Sequence, residues 1–325
     1  MTKVMKKLVC VLMAIMMVAV MMPAMAFAAE GGASTQADLK VFVNGVDTGK
    51  IVSAAYLLNE KNWEPAQVFS MVQSGKKGSS FSYVVAQGPS MEAVLKKAGV
   101  IKSSLKEIQK GSVEIWDTPE TKQSANGYAL AIADLMKATS VVKLDQDINA
   151  DDVTMSKQAG ATPVVPVYAV KSASADTYEA ATALDFSKAK ACSMPVVGNN
   201  AKGDMVVKKG GASNMDSANI NAKYQWKNGS VLNVVTAPAK PSGLKVKKSG
   251  KTAKVTWKAV KGAAKYQVAY KKGNGKWTVV DTAKNSLKVT KLTKGKTYSF
   301  KVRAANTNCH GDNIAGSYSA VKKVK

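Results

Sequence analysis

A leader, then a mixed α+β domain, then an all-β sandwich is the fold class this sequence predicts, and three observations predict it. Residues 1–28 run from basic to apolar to small side chains. Residues 38–235 mix short alternating runs with one or two short stretches of helical period. After residue 238, apolar residues fall on alternate positions in one short run after another, separated by Gly, Asn and Lys.

The opening carries Lys3, Lys6 and Lys7, an apolar run from Leu8 to Met22, Pro23 and then Ala24-Met-Ala26-Phe-Ala28. This is the pattern of a secretory signal peptide cleaved after Ala26 or Ala28. Cys10 lies too early in the apolar run to be a lipid-attachment cysteine. No other run reaches the roughly 20 apolar residues that a membrane helix needs. The expectation is a secreted chain, extracellular or wall-associated, with no membrane span after cleavage.

Residues 38–235 open on Leu39-Lys-Val41-Phe-Val43-Asn-Gly45, an alternating strand entering an Asn-Gly hairpin turn. Val52 to Leu58 reads as its return strand or a short helix, and Phe81 to Val85 as another strand. Ser90 to Gly99 reads as a helix: Ser90 caps it, Met91, Val94, Leu95 and Ala98 form the buried stripe, and Gly99 ends it. Val113 to Trp116 is a strand, Asn126-Gly127 a turn, and Ala131 to Ala138 a second short helix. Val164 to Val170 is an apolar strand that Pro166 pushes towards an edge or a bulge. Strands at Met194–Val197 and Met205–Val207 follow, and Ser230 to Val235 closes the domain.

Residues 238–325 hold Val255-Thr-Trp257, Tyr266 to Tyr270, Trp277-Thr-Val279, Leu287-Lys-Val289 and Tyr298 to Val302. Six or seven half-buried strands in so short a stretch make a sandwich, one face of each strand in a core and one in water. Trp257 fills the middle of that core. Leu292 sits six residues before Tyr298, placing a ring that can bury while its hydroxyl returns to the upstream backbone. With Pro241-Ser-Gly-Leu244 at the entry and Val302-Arg-Ala-Ala-Asn306 after the corner, the segment closely resembles a fibronectin type III domain. The resemblance implies a spacer or binding module, not a catalyst; no Arg-Gly-Asp tripeptide is present.

Charge divides the chain. Residues 30–236 carry 22 lysines against 20 acidic residues, whereas residues 237–325 carry 22 Lys plus Arg against only Asp281 and Asp312. Almost all of the net charge of +25 therefore belongs to the sandwich. Arg303 is the one arginine. Base-edge reading normally uses the arginine fork, so nucleic acid is not the expected partner. An anionic cell-wall or host glycan polymer, or another surface protein, fits better. The polymer-binding candidates are Lys271, Lys272, Lys276, Lys294, Lys296 and Arg303. A solvated lysine coat that binds nothing in particular is the competing reading.

A second resemblance rests on shorter motifs. Gly88-Pro-Ser90 leading to Met91, Val94, Leu95 and Ala98-Gly-Val100 is similar to a helix of molybdopterin-binding, sulfite-oxidase-type domains. Ser124-Ala-Asn126-Gly127-Tyr128 with Ala133 to Met136, then Val164 to Val170 and Met194 to Gly198, are similar to later segments of that family. The resemblance implies a degenerate copy of the fold, of the kind found in exported surface proteins of Gram-positive anaerobes. It also supplies the alternative function, an extracellular enzyme on that scaffold. The segment lacks any arginine or histidine for an anionic pterin, and its one cysteine, Cys192, lies late. No cofactor and no catalytic residue are carried over.

Remaining motifs read as bland. His310, beside Cys309 and Asp312, falls in a solvated loop. Asp145 to Asp152 spaces oxygen ligands as a calcium loop would, but Ala150 and Ser156 stand where glycine and glutamate are required. Ser103-Ser-Leu-Lys106 has the Ser-x-x-Lys spacing without the partner motifs of an acyl-enzyme. Trp63, Trp116 and Trp226 read as core fillers, and an aromatic patch for sugar stacking is the alternative. Cys192 and Cys309, far apart in the chain, do not make a disulfide framework.

Overall fold

Strand β1 (Leu39–Val43) turns at Asn44-Gly45 into β2 (Val46–Val52). Both turn residues have positive φ, 53° and 76°. That is the primed geometry matching the right-handed twist of paired strands, and it is why Asn-Gly occupies it. The computed structural model describes residues 37–75, 78–116, 118–120, 129–136, 152–155, 164–175, 178–196, 205–208, 230–309 and 311–325. The leader, the Asn126-Gly127 turn, most of the acidic stretch from Asp145 and His310 lie outside the described residues.

The hairpin edges a five-stranded sheet of order β2-β1-β11-β5-β6, with β5 at Ser112–Trp116, β6 at Ala129–Ala131 and β11 at Val231–Val235. The run from Ser230 to Val235 does more than close the region: β11 lies mid-sheet, parallel to β1 and antiparallel to β5. All five of its residues are buried, as a strand covered on both faces requires.

One face of this sheet is covered by α2 (Met91–Lys97), preceded in the chain by α1 (Ala54–Leu57). Ser90 Oγ accepts the Ala93 N–H at 3.3 Å, and Met91, Val94, Leu95 and Ala98 are buried in one core cluster with Leu39, Val41, Val113, Ile115, Leu232 and Val234. The expected second helix is short, α3 (Ile132–Leu135), and α4 (Tyr178–Thr182) follows.

A second, antiparallel sheet runs β3-β4-β8-β9, with β3 at Gln67–Gly75, β4 at Gly78–Gln87, β8 at Val167–Ala175 and β9 at Lys190–Val196. A two-stranded pair joins β7 (Asp152–Met155) to β10 (Met205–Lys208). Of the edge or bulge expected from Pro166, the edge is corrected here. β8 is flanked on both sides, because Pro166 precedes its first residue and removes no ladder donor. The irregularity comes further along, between Ala169 and Lys171.

The C-terminal sandwich stacks β12-β13-β16 (Lys245–Ser249, Thr252–Thr256, Ser286–Val289) against a sheet of β15 (Thr278–Thr282), β14 (Lys265–Lys272) and β17 (Tyr298–Thr307). Its last strand is broken. β18 (Asn313–Ala315) and β19 (Lys322–Val324) both pair with β17, and Ser319 bridges the gap through its N–H to the Val302 carbonyl and its hydroxyl from the Val302 N–H.

The two regions meet closely. The Asn44 side-chain amide bonds the Thr236 N–H and hydroxyl, while Asn306 accepts from the Ala264 N–H and donates to the Thr236 carbonyl. Gly316 lies so close to the Pro238 carbonyl that a Cβ would collide with it. Buried Glu114 accepts from Trp116 Nε1, Asn233 Nδ2 and the Cys309 backbone N–H at 2.9, 2.9 and 2.7 Å. The linker is strapped down on both sides.

Candidate polyanion-binding face

Alternation along a strand says that one face is buried, not which one. On β14, Tyr266 and Val268 point into the core with Phe300 and Val302 of β17. The complementary set, Lys265, Gln267, Ala269 and Lys271 on β14 and Ser299, Lys301 and Arg303 on β17, therefore shares the outer face. Trp277 just precedes β15 and is half-buried, and Val279 is 47% exposed. The pair expected to enter the core thus lies on the outside, with Val280, opposite core residue Val268, taking the inner register.

Outside, cations and rings alternate. Lys271 Nζ stands 5.1 Å from the Trp277 ring centre and Lys301 Nζ 4.3 Å from the same ring. Lys301 Nζ is also 4.2 Å from the Tyr318 ring, which has the Arg303 guanidinium at 4.6 Å. Tyr318 reaches this place because it sits in the break between β18 and β19. Cation–π contacts of consequence occur about once per 70–80 residues, so four among five side chains form a cluster rather than background. The contacts of Lys97 with Tyr56 and Lys171 with Trp63 are isolated by comparison.

Arg303 is oriented from below. Its Nε donates to Gln267 Oε1 at 2.8 Å, Gln267 Nε2 donates to Asp281 Oδ1 at 3.0 Å, and Asp281 pairs with Lys265 at 3.2 Å. Both Nη groups of Arg303 are left outside these bonds, and among the described residues Lys271, Lys301 and Arg303 have no carboxylate partner. Three uncompensated cations on one wall can hold oxyanions, with the free guanidinium edge suited to a bidentate one.

The remaining candidates gather at one end. Lys272 ends β14 opposite Tyr298, Lys276 lies in the exposed turn before Trp277, and Lys294 and Lys296 lie in the exposed loop before β17. The Gly273 N–H to the Thr297 carbonyl ties that turn to that loop. Arg303 stands apart from them, further along β17. Sequence reasoning missed Lys301 and Tyr318 as surface groups; the signal available was the position of Lys301 two residues from Arg303 on one strand.

The structural candidates are core groups. Trp257 (4% exposed) meets Tyr266 edge-on at 5.2 Å, Leu292 is buried, and the Tyr298 hydroxyl accepts the Thr293 N–H at 3.0 Å. Hydrogen bonding with the Thr293 side chain and backbone lowers the Tyr298 hydroxyl below the usual phenolic pKa.

The front region holds a cavity of about 390 Å³ between Met91, Leu105, Met136 and Val165, with Glu92 and Lys106 its titratable lining. Glu92 is already committed to Lys96 at 2.8 Å and the Leu105 N–H at 3.3 Å. A molybdenum–pterin group does not fit this region. It contains no guanidinium or imidazole for the phosphate, and Cys192 lies on the outer strand β9.

Two facing antiparallel sheets with a tyrosine corner and a core tryptophan define the tail as an immunoglobulin-like sandwich. The family described as fibronectin type III domain matches residues 239–315. The C-terminal sandwich is a fibronectin type III domain, and such a domain fits a binding or adhesion-type protein. Similar solved structures include the FN5 domain of Drosophila Lar, at 21% identity over 27% of this chain and 95% of that one, TM-score 0.23. The fn3 domain of human contactin 1 is 24% identical over 26% of this chain and 73% of that one, also with TM-score 0.23. No curated protein matches the chain. Among the described residues, no helix is long and apolar enough to cross a membrane, and no group of three or more His, Cys, Asp or Glu could hold a metal ion.

Proposed function

We propose that this chain is a secreted, non-catalytic cell-surface or matrix binding protein. Its lysine-rich sandwich (238–325) holds it to an anionic wall or host glycan polymer. Its mixed α+β region (38–235) recognises a second partner, and residues 1–28 are the export signal. The observation that carries this reading is the excess of 22 cations over two acids in residues 237–325, with a face on which Lys271, Lys301 and Arg303 have no carboxylate partner among the described residues. Lys271, Lys272, Lys276, Lys294, Lys296 and Arg303 form the contact set.

Cosedimentation of the full chain with anionic wall polymer tests it. At low salt the protein should pellet with the polymer, and release should follow as ionic strength shortens the Debye length from about 30 Å at 0.01 M to about 8 Å at 0.15 M. A chain that stays in the supernatant at low salt ends the reading.

A further inference from the structure

The alternating row on the outer sheet has a spacing as well as a charge. Lys301 and Arg303 are two residues apart on β17, roughly 6.6 Å at strand rise. Lys271 lies opposite Ser299, so it meets Lys301 on the diagonal, at about 7–8 Å. Their attachment points on the backbone therefore recur at close to one interval, with Trp277 in contact with the first two cations and Tyr318 with the last two. A bare lysine on a sheet surface samples many rotamers and gives no such interval. Here each cation is held against a ring, and Lys301 against two.

We infer that this row reads the charge spacing of its ligand. It takes a linear polymer carrying an oxyanion about every 7 Å, with Arg303 gripping one group by its free edge and Lys301 and Lys271 the next two. Trp277 and Tyr318 are positioning residues that fix the cations rather than surfaces on which sugars stack. Each ring already has two cations within 5.1 Å of its centre, crowding the faces a pyranose would use. The inference rests on the polyanion reading above and narrows it. The oxyanion can come from a phosphodiester backbone or from the carboxylates of an acidic glycan.

The test is a salt series of dissociation constants for the full chain with three probes: a poly(glycerol phosphate) chain, a polyuronate oligomer and neutral dextran. Lys301→Ala should weaken binding about tenfold and reduce the slope of log K against log salt by about one, because one ionic contact is lost. Trp277→Ala should weaken binding severalfold with the slope unchanged, since every cation remains, and Trp277→Phe should restore it. Whichever charged probe binds more tightly identifies the source of the oxyanion, and dextran should not bind.

Two results overturn the inference: dextran binding that Trp277→Ala removes, or an equal effect of Lys301→Ala and of Lys247→Ala, which lies on the other sheet. The latter result would leave general retention by charge standing. Failure of the unaltered chain to bind either charged probe at low salt would instead remove the broader reading. Should Trp277→Ala not fold, the comparison of Lys301→Ala with Lys247→Ala decides alone.

Discussion

Removing one oxygen from Tyr298 strips the Thr293 N–H of its partner while leaving the ring in place. Tyr298→Phe should destabilise the sandwich by about 1 kcal/mol, against about 2–4 kcal/mol for Leu292→Ala, which opens a cavity. Urea titration followed by tryptophan fluorescence gives both. Glu107 supplies a pH test. Its exposed carboxylate accepts from the backbone N–H groups of Ser103, Lys102 and Ser104 and from the Ser103 hydroxyl, and these hold its pKa at about 2. A depressed acid stabilises above its unfolded value near 4.5 and loses that contribution as pH falls towards 2. The Ser103 amide resonance should therefore titrate with a midpoint near 2 and stop titrating in Glu107→Gln; a midpoint above 4 contradicts the hydrogen bonds. Tyr298, Leu292 and Trp257 were readable in the sequence because burial follows from local spacing. Trp277 was not, since its outer-face neighbours Lys271 and Lys301 come from two separate strands, β14 and β17.

At the level of elements, α2 separates capping from packing. Ser90→Ala removes one side-chain cap and should cost about 1 kcal/mol. Leu95→Ala, at a position with no exposure against the five-stranded sheet, should cost about 2–5 kcal/mol. Thermal denaturation should rank them in that order, and equal losses would mean the helix contributes little to the core. Both roles were visible in the 3.6-residue period from Met91 to Ala98. Strand partners were not. β11 pairs in parallel with β1 across some 190 residues, and no local pattern encodes a partner that distant. No strand was expected at β3, and Pro166 pointed to an edge or a bulge for β8, because a proline beside a strand looks like a proline within one; β8 is central and carries a register shift between Ala169 and Lys171.

Across the whole molecule, the Glu114 contacts join the front sheet to the loop after β17. Glu114→Ala would orphan three N–H donors and should cost about 3–5 kcal/mol. It should also separate one calorimetric transition into two, as the strapped linker loses its buried anchor; a single unchanged transition would show that the junction is not held there. Burial first, and the nearby Glu114 carboxylate second, push the Cys309 thiol up to about 12. In a Cys192→Ser background, alkylation at pH 8 should be slow in the native chain and fast in Glu114→Ala.

Local pattern was enough for the tail sandwich, its charge and part of its core, Trp257, Leu292 and Tyr298 among it. Those depend on period, composition and contacts within a few residues. Tertiary structure alone decided which cations stand between rings, where β11 inserts and how the two regions lock. Each of those joins residues distant along the chain, and their meeting is set by the packing of whole sheets rather than by any local preference.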